Sequence, residues 1–494
     1  MTIEWITEHW LAVTLLSVYT GVLLYNAHVG RQRAGGLAGY YVGDRRMGGV
    51  VIGLSFFATF ASTNSYIGHA GKGYDFGIPW LVMAASLVVF TYLSWRFVGP
   101  QLRRFAAEFD ALTLPDYLGS RFAGATDREG HPIRWWSGLV VVFASLLYLV
   151  AIFKGAGHLF EQFLGISYTA AVGLTLAVVV LYTSIGGFVS VVRTDALQGV
   201  LMVLGAITIF YFVTDAAGGV ASITTLKARP ETEHLFTWNA GIPFAVLLGI
   251  SLSGALKLLV DPRQLSRFYA LKSDRDARVG IWVALVGLLV VQGCLFPVGV
   301  YAHLIMEGVT DTDLIVPTLV SDLSVFPLWA GDFLIVAILA AAMSSMDSVL
   351  LVAASTLHKN MVAPFRKSTD NGVRWTRVSV VLFAVVSAGL ALNPPGDIVE
   401  ITIFSGSLYA VCFLPAVLLG LHWRRGDVTC VLASMAVGVL MLIVWLLAGF
   451  NAYLHEVFPG LLASVAVYVG LASTRPAVIP LSPGRSAPES LDEY

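Results

Sequence analysis

Long apolar runs dominate the hydrophobic pattern. They begin near residues 6, 49, 79, 135, 169, 190, 242, 279, 330, 374, 399, 428 and 457. Each is about the 20 residues needed to cross a bilayer as a helix, so the chain reads as an all-α polytopic membrane protein of roughly thirteen spans. One run breaks the pattern. Residues 58–77 read ATFASTNSYIGHAGKGYDFG, polar, small and glycine-rich where a spanning helix is apolar. Backbone that leaves the helix at membrane depth is tolerated only where protein buries it or where it lines a water-filled cavity.

The seventh run holds a second weak stretch, Gly249-Ile250-Ser251-Leu252-Ser253-Gly254-Ala255-Leu256-Lys257, followed by Asp261-Pro262. Glycine and serine weaken a helix, and Pro262 limits its end. The second and seventh spans are five apart in order, so they cross in opposite directions. Two five-helix units of opposite orientation, each opening on a discontinuous helix, form a five-plus-five inverted repeat, a plan in which broken helices mark a substrate or ion site. Repeat one is expected over about 49–214 and repeat two over about 242–422, with extra helices at 6–26, 428–448 and 457–472. All lie in one transmembrane domain, 1–472. The glycines also fit a simpler role, close packing between helices. Residues 473–494 are Pro/Ser-rich and are expected to be disordered.

Composition agrees with the pattern: of 494 residues, 57% are hydrophobic and only 12% charged, against about 25% charged in soluble domains. The net charge of -1 gives no reason to expect a nucleic-acid partner. Cys294, Cys412 and Cys430 fall in or beside apolar runs and read as small buried hydrophobes. The first run lacks a basic n-region and a cleavage site, so it reads as a retained helix. Basic residues gather in alternate connections, from Arg31 and Arg33 through Arg263, Arg267 and Lys272 to Arg424 and Arg425, while the opposite set holds Lys227 and Arg229. By the positive-inside rule the N-terminus lies outside and the C-terminus in the cytoplasm, in a plasma (inner) membrane.

The ninth span contains Ala340-Ala341-Ala342-Met343-Ser344-Ser345-Met346-Asp347-Ser348. Positions 341, 344, 345 and 348 share one helical face. Two hydroxyls opposite free carbonyls of an unwound segment make an all-oxygen cage suited to a hard cation such as sodium. The competing reading is that the serines bond the carbonyl one turn back. Asp347 is a carboxylate at membrane depth, which by default is functional. Asp195, in Arg193-Thr194-Asp195, fits either an ion path or a helix-start cap.

At these residues the chain resembles the sodium:solute symporter family, nearest in pattern to pantothenate and monocarboxylate permeases. The likeness covers residues 6–472. Its motifs are Ser65-Tyr66-Ile67-Gly68 through Gly71 and Gly73-Tyr74, Gly155-Ala156-Gly157, Gly186-Gly187 with Arg193-Thr194-Asp195 and Gln198, Arg267-Phe268-Tyr269-Ala270, and Met343 to Ser348. The resemblance implies the leucine-transporter-type fold. It also implies a sodium site formed by the carbonyls of Ala58, Ala61 and Ala341 and the hydroxyls of Ser344 and Ser345. In some members a second sodium binds nearby, which here implies Asp195, Ser344, Asp347 and Ser348, or a proton path through the same groups. By register Asn64, Ser65, Gly68 and His69 face the solute. Lys257 falls near the family's inner gate, where it would pair with a substrate carboxylate, pair with a protein carboxylate, or snorkel inward.

The expected activity is sodium-coupled import of a small organic solute. Proton coupling through Asp347 and Asp195 and a membrane sensor are the competing classes. An enzyme is disfavoured, since no HExxH or GxSxG-type pattern occurs. The expected partners are sodium, the solute and the bilayer.

Overall fold

The computed structural model describes residues 3–238, 241–366 and 371–476. Among these residues the fold is helical, apart from an isolated bridge between Met47 and Leu271. From residue 477 onward the segment expected to be disordered lies outside the described residues. The helices that position the site are α1 (Trp10–Arg33), α2 (Gly49–Phe60), α3 (Asn64–Phe76), α4 (Ile78–Phe109), α5 (Leu114–Phe122) and α6 (Pro132–Leu164). They continue with α7 (Tyr168–Ala216), α8 (Phe244–Val260), α9 (Pro262–Ala270), α10 (Asp274–Ala302) and α11 (Thr312–Ser321). The last are α12 (Leu328–Thr356), α13 (Gly372–Ala391), α14 (Ile398–His422), α15 (Val428–Leu447) and α16 (Val457–Ser473). The stretch of α12 from Ile335 to Leu351 is buried throughout, so this helix is the centre of the bundle.

The second span is broken. α2 and α3 meet at 56° across Ala61, Ser62 and Thr63. The local cause is Ser62. Its hydroxyl accepts from the Asn64 N–H at 3.1 Å, and its carbonyl accepts from Ser65 and Tyr66 at 2.9 and 3.3 Å. A serine that captures nearby N–H groups competes with the helical ladder. In a continuous helix those of Asn64 and Ser65 would have bonded the carbonyls of Phe60 and Ala61.

α7 has 49 residues, which as a straight rod would extend about 73 Å, more than twice the hydrocarbon core. It is interrupted at Gly187, where φ is 62° and ψ -166°. Only glycine takes that conformation readily, and a Cβ there would meet the Tyr40 ring at 2.7 Å. The runs at 169 and 190 are therefore the two arms of α7.

The structure refines three expectations. First, among the described residues ten helices are long and apolar enough to span, or eleven with the bent pair, so the exact count of thirteen is not confirmed. The two runs at 169 and 190 are joined, as arms on either side of Gly187, in the single 49-residue helix α7, and α16 is short, at 17 residues. Second, the weak stretch 249–257 stays helical; the interruption falls beyond it, at Asp261, where ψ is 122°. Neighbours occupy the stretch: Ser253 Oγ donates to the Ile403 carbonyl at 2.7 Å, and a Cβ on Gly254 would meet Met83 at 2.8 Å. Here glycine serves close packing. Third, Arg263 and Arg267 are buried, so they are not loop charges.

Candidate ion and solute site

The interrupted second span faces the serine face of α12. Ser345 Oγ donates to the Thr59 carbonyl at 2.9 Å, at the last turn of α2. Ser344 Oγ donates to Asp195 Oδ1 at 2.6 Å. Both hydroxyls reach other helices rather than the carbonyl one turn back. Ala58, Ala61, Ala341, Ser344, Ser345 and Ser348 are all fully buried. The donors offered are carbonyls and hydroxyls, the ligand chemistry a hard monovalent cation needs.

Asp195 is the hub of this region. It sits two turns beyond the break at Gly187, within the second arm of α7, so it caps no helix. Besides Ser344, its carboxylate accepts from Ser55 Oγ at 2.5 Å, Thr59 Oγ1 at 3.2 Å and Arg267 Nη2 at 2.8 Å. The same Arg267 nitrogen donates to Thr59 Oγ1 at 2.8 Å and to Ser348 Oγ at 2.5 Å, and Nε donates to Ser55 Oγ at 3.1 Å. Asp347 accepts from Tyr182 Oη at 3.2 Å and from Ser348 Oγ at 3.3 Å. Asp195, Arg267 and Asp347 have no exposed surface. Four helices, α2, α7, α9 and α12, thus converge on one polar cluster.

Lys257, on α8, is 2% exposed, so it does not snorkel. Among the described residues its ammonium has no hydrogen-bond or ion-pair partner; the nearby Asp261 carboxylate is taken up by Arg263. It lies over the Tyr148 ring, 4.0 Å from the centroid, and 5.9 Å from that of Tyr409. Tyr148 Oη donates to Ser62 Oγ at 3.3 Å, which brings Lys257 beside the break. Its neighbour Arg263 is held by Asp261 at 2.5 Å. On α3, Asn64 Nδ2 and His69 Nε2 are 3.4 Å apart, while Asn64 Oδ1 and His69 Nδ1 have no hydrogen-bond partner among the described residues. His69 is buried and stacks on Phe296, 4.7 Å between centroids. Ser65 is buried, and a Cβ on Gly68 would meet Asn64 Oδ1 at 2.6 Å and Val399 at 2.8 Å. Lys154 pairs with Asp313 at 2.9 Å.

Sequence reasoning missed Ser55, Thr59, Tyr148, Tyr182 and the burial of Arg267. A signal existed for part of this: Ser55 and Thr59 are four residues apart and share a face of α2. Nothing local marks Tyr148 or Tyr182, whose roles come from helices distant in sequence.

A broken helix set against a hydroxyl-bearing central helix is an arrangement typical of secondary transporters. The description "Sodium:solute symporter family" matches residues 40–438, and the chain belongs to that family. It is 32% identical over 451 residues to the osmoregulated proline transporter OpuE of Bacillus subtilis, covering 89% of this chain and 90% of that protein. To the sodium/pantothenate symporter of Haemophilus influenzae it is 27% identical over 450 residues, 90% and 91% of the two chains. Among solved structures, a Na+-coupled sialic acid symporter in a substrate-bound outward-open state shares the fold, with TM-score 0.79, 18% identity and 95% and 99% coverage. These relatives are named transporters, and the protein is a multi-pass membrane transporter, not an enzyme.

Proposed function

We propose that the protein imports a small organic solute carrying a carboxylate, driven by inward movement of sodium. The carbonyls of Ala58, Ala61 and Ala341 and the hydroxyls of Ser344 and Ser345 would hold the ion. The observation that carries this half is Ser345 Oγ set against the Thr59 carbonyl at the break. Sodium there ties α2 and α3 to α12 and favours an outward-open state; its loss to the cytoplasm loosens that tie. To act as a coupling ion it must bind the two states unequally. Each sodium moving inward gains about 2.3 kcal/mol per 100 mV.

The solute half rests on Lys257, a buried ammonium beside the break with no hydrogen-bond or ion-pair partner among the described residues. Asn64, Ser65, Gly68 and His69, which share one face of α3 by helical spacing, would be the solute-facing set. Proline and pantothenate, the solutes named for two relatives, both carry carboxylates. The repeats span about 49–214 and 242–422, with the N-terminus outside and the C-terminus in the cytoplasm of the plasma membrane. The test is uptake of proline and pantothenate into proteoliposomes under an imposed inward sodium gradient, with potassium as control. Sodium-dependent accumulation of a carboxylate solute is expected. Accumulation driven equally by a pH step without sodium would replace sodium with a proton.

A further inference from the structure

The cluster around Asp195 contains a cation of its own. Arg267 Nη2 lies within hydrogen-bond distance of Asp195 Oδ2 and Ser348 Oγ, two of the groups that a second sodium would need. It also engages Thr59 Oγ1, and Nε engages Ser55 Oγ. The remaining guanidinium nitrogen, Nη1, donates to the Arg263 carbonyl and Ser266 Oγ, both at 3.1 Å. All three nitrogens are therefore committed, in the fixed fork that makes arginine suited to buried carboxylates. The oxygens of Asp195 Oδ2 and Ser348 already face positive charge, so the residues present do not fit a second sodium there.

We infer that Arg267 is a tethered cation occupying the second ion position, so that this transporter binds and carries one sodium per cycle. The arginine draws α2, α7 and α12 onto α9 permanently, while a transported ion would do so only in part of the cycle. The inference rests on the sodium-symport reading.

The experiment counts sodium ions bound by the purified full-length protein, using equilibrium binding of radioactive sodium. One sodium per chain is expected for the wild type. Arg267→Gln vacates the position and is expected to bind two, with the Hill coefficient for sodium rising from near one toward two. Two ions on the wild type would overturn the inference, as would one ion on both proteins. Should Arg267→Gln fail to fold, Asp195→Asn decides the matter in a chain that keeps the arginine. A count staying at one supports the tethered cation, and a fall from two to one overturns it. No sodium bound to the wild type would refute the symport reading itself, and the inference with it.

Discussion

Replacing Lys257 with methionine should make the solute-free protein more stable while it abolishes tight binding of the solute. The side chain is 2% exposed and its ammonium has no hydrogen-bond partner among the described residues. An uncompensated buried charge costs several kcal/mol. The faces of Tyr148 and Tyr409, 4.0 and 5.9 Å away, return about 2 kcal/mol of that. Methionine has nearly the same volume and no charge, so Lys257→Met should stabilise the empty protein by roughly 1–3 kcal/mol. With solute present the sign reverses. Losing one partner of a buried, hydrogen-bonded charge pair costs about 2–5 kcal/mol, a factor of roughly 30 to several thousand in affinity. Thermal unfolding without solute measures the first effect; titration with a carboxylate solute and its neutral amide measures the second. The variant should unfold at a higher temperature and lose affinity for the acid far more than for the amide. A lower unfolding temperature together with equal losses for acid and amide would show that Lys257 is a structural residue.

Two further predictions concern the frame around the site. Asp116, on the short helix α5, is 2% exposed and is contacted by Arg134 at 2.6 Å and Lys359 at 2.5 Å. Burial alone would raise its carboxyl, but Lys359 and Arg134 outweigh burial and hold it at about 2 against an ordinary 3.8. A depressed acid stabilises above its unfolded value, so this contribution, about 2 kcal/mol, is complete above pH 3.8 and fades as pH falls toward 2. Asp116→Asn should flatten the fall in unfolding temperature over that window. It should also destabilise the protein at neutral pH by about 3–5 kcal/mol, because two cations lose their shared partner. Gly187→Ala forces a side chain into a glycine-only conformation and against Tyr40; a loss of more than about 3 kcal/mol, or failure to fold, is expected in a detergent stability screen. A Gly187→Ala variant as stable as the wild type would mean that α7 does not need its break.

The break between α2 and α3 is legible in the sequence because its cause is local. Ser62, Thr63 and Asn64 carry their own competing hydrogen-bond groups, and the glycines after them remove helix propensity. The same logic misplaces the interruption in the seventh span. Gly249, Ser251, Ser253 and Gly254 look equally weak, but His455 and Phe458 pack against Gly249 and α14 and Met83 against Ser253 and Gly254, and tertiary contact overrides propensity. Asp261-Pro262 then sets the real boundary. The serine face of α12 is also legible, since helical periodicity places 341, 344, 345 and 348 together. What those hydroxyls bond is not, because Thr59 and Asp195 arrive from helices far apart in the chain. Arg267 shows the limit most clearly. After a proline that closes a spanning run, an arginine reads as a loop charge. Its burial depends on Asp195, Ser348, Thr59 and Ser55 meeting it from three other helices.

The central claim is that sodium binds where the broken second span meets α12. Sodium-dependent thermal stabilisation of the purified protein, compared with potassium in wild type and Ser345→Ala, tests it most directly. Sodium should raise the unfolding temperature of the wild type where potassium does not. The variant, missing one oxygen ligand worth about 1 kcal/mol or more, should need roughly tenfold more sodium for the same shift. A wild type that responds equally to both salts, or a variant with an unchanged sodium midpoint, would contradict the account.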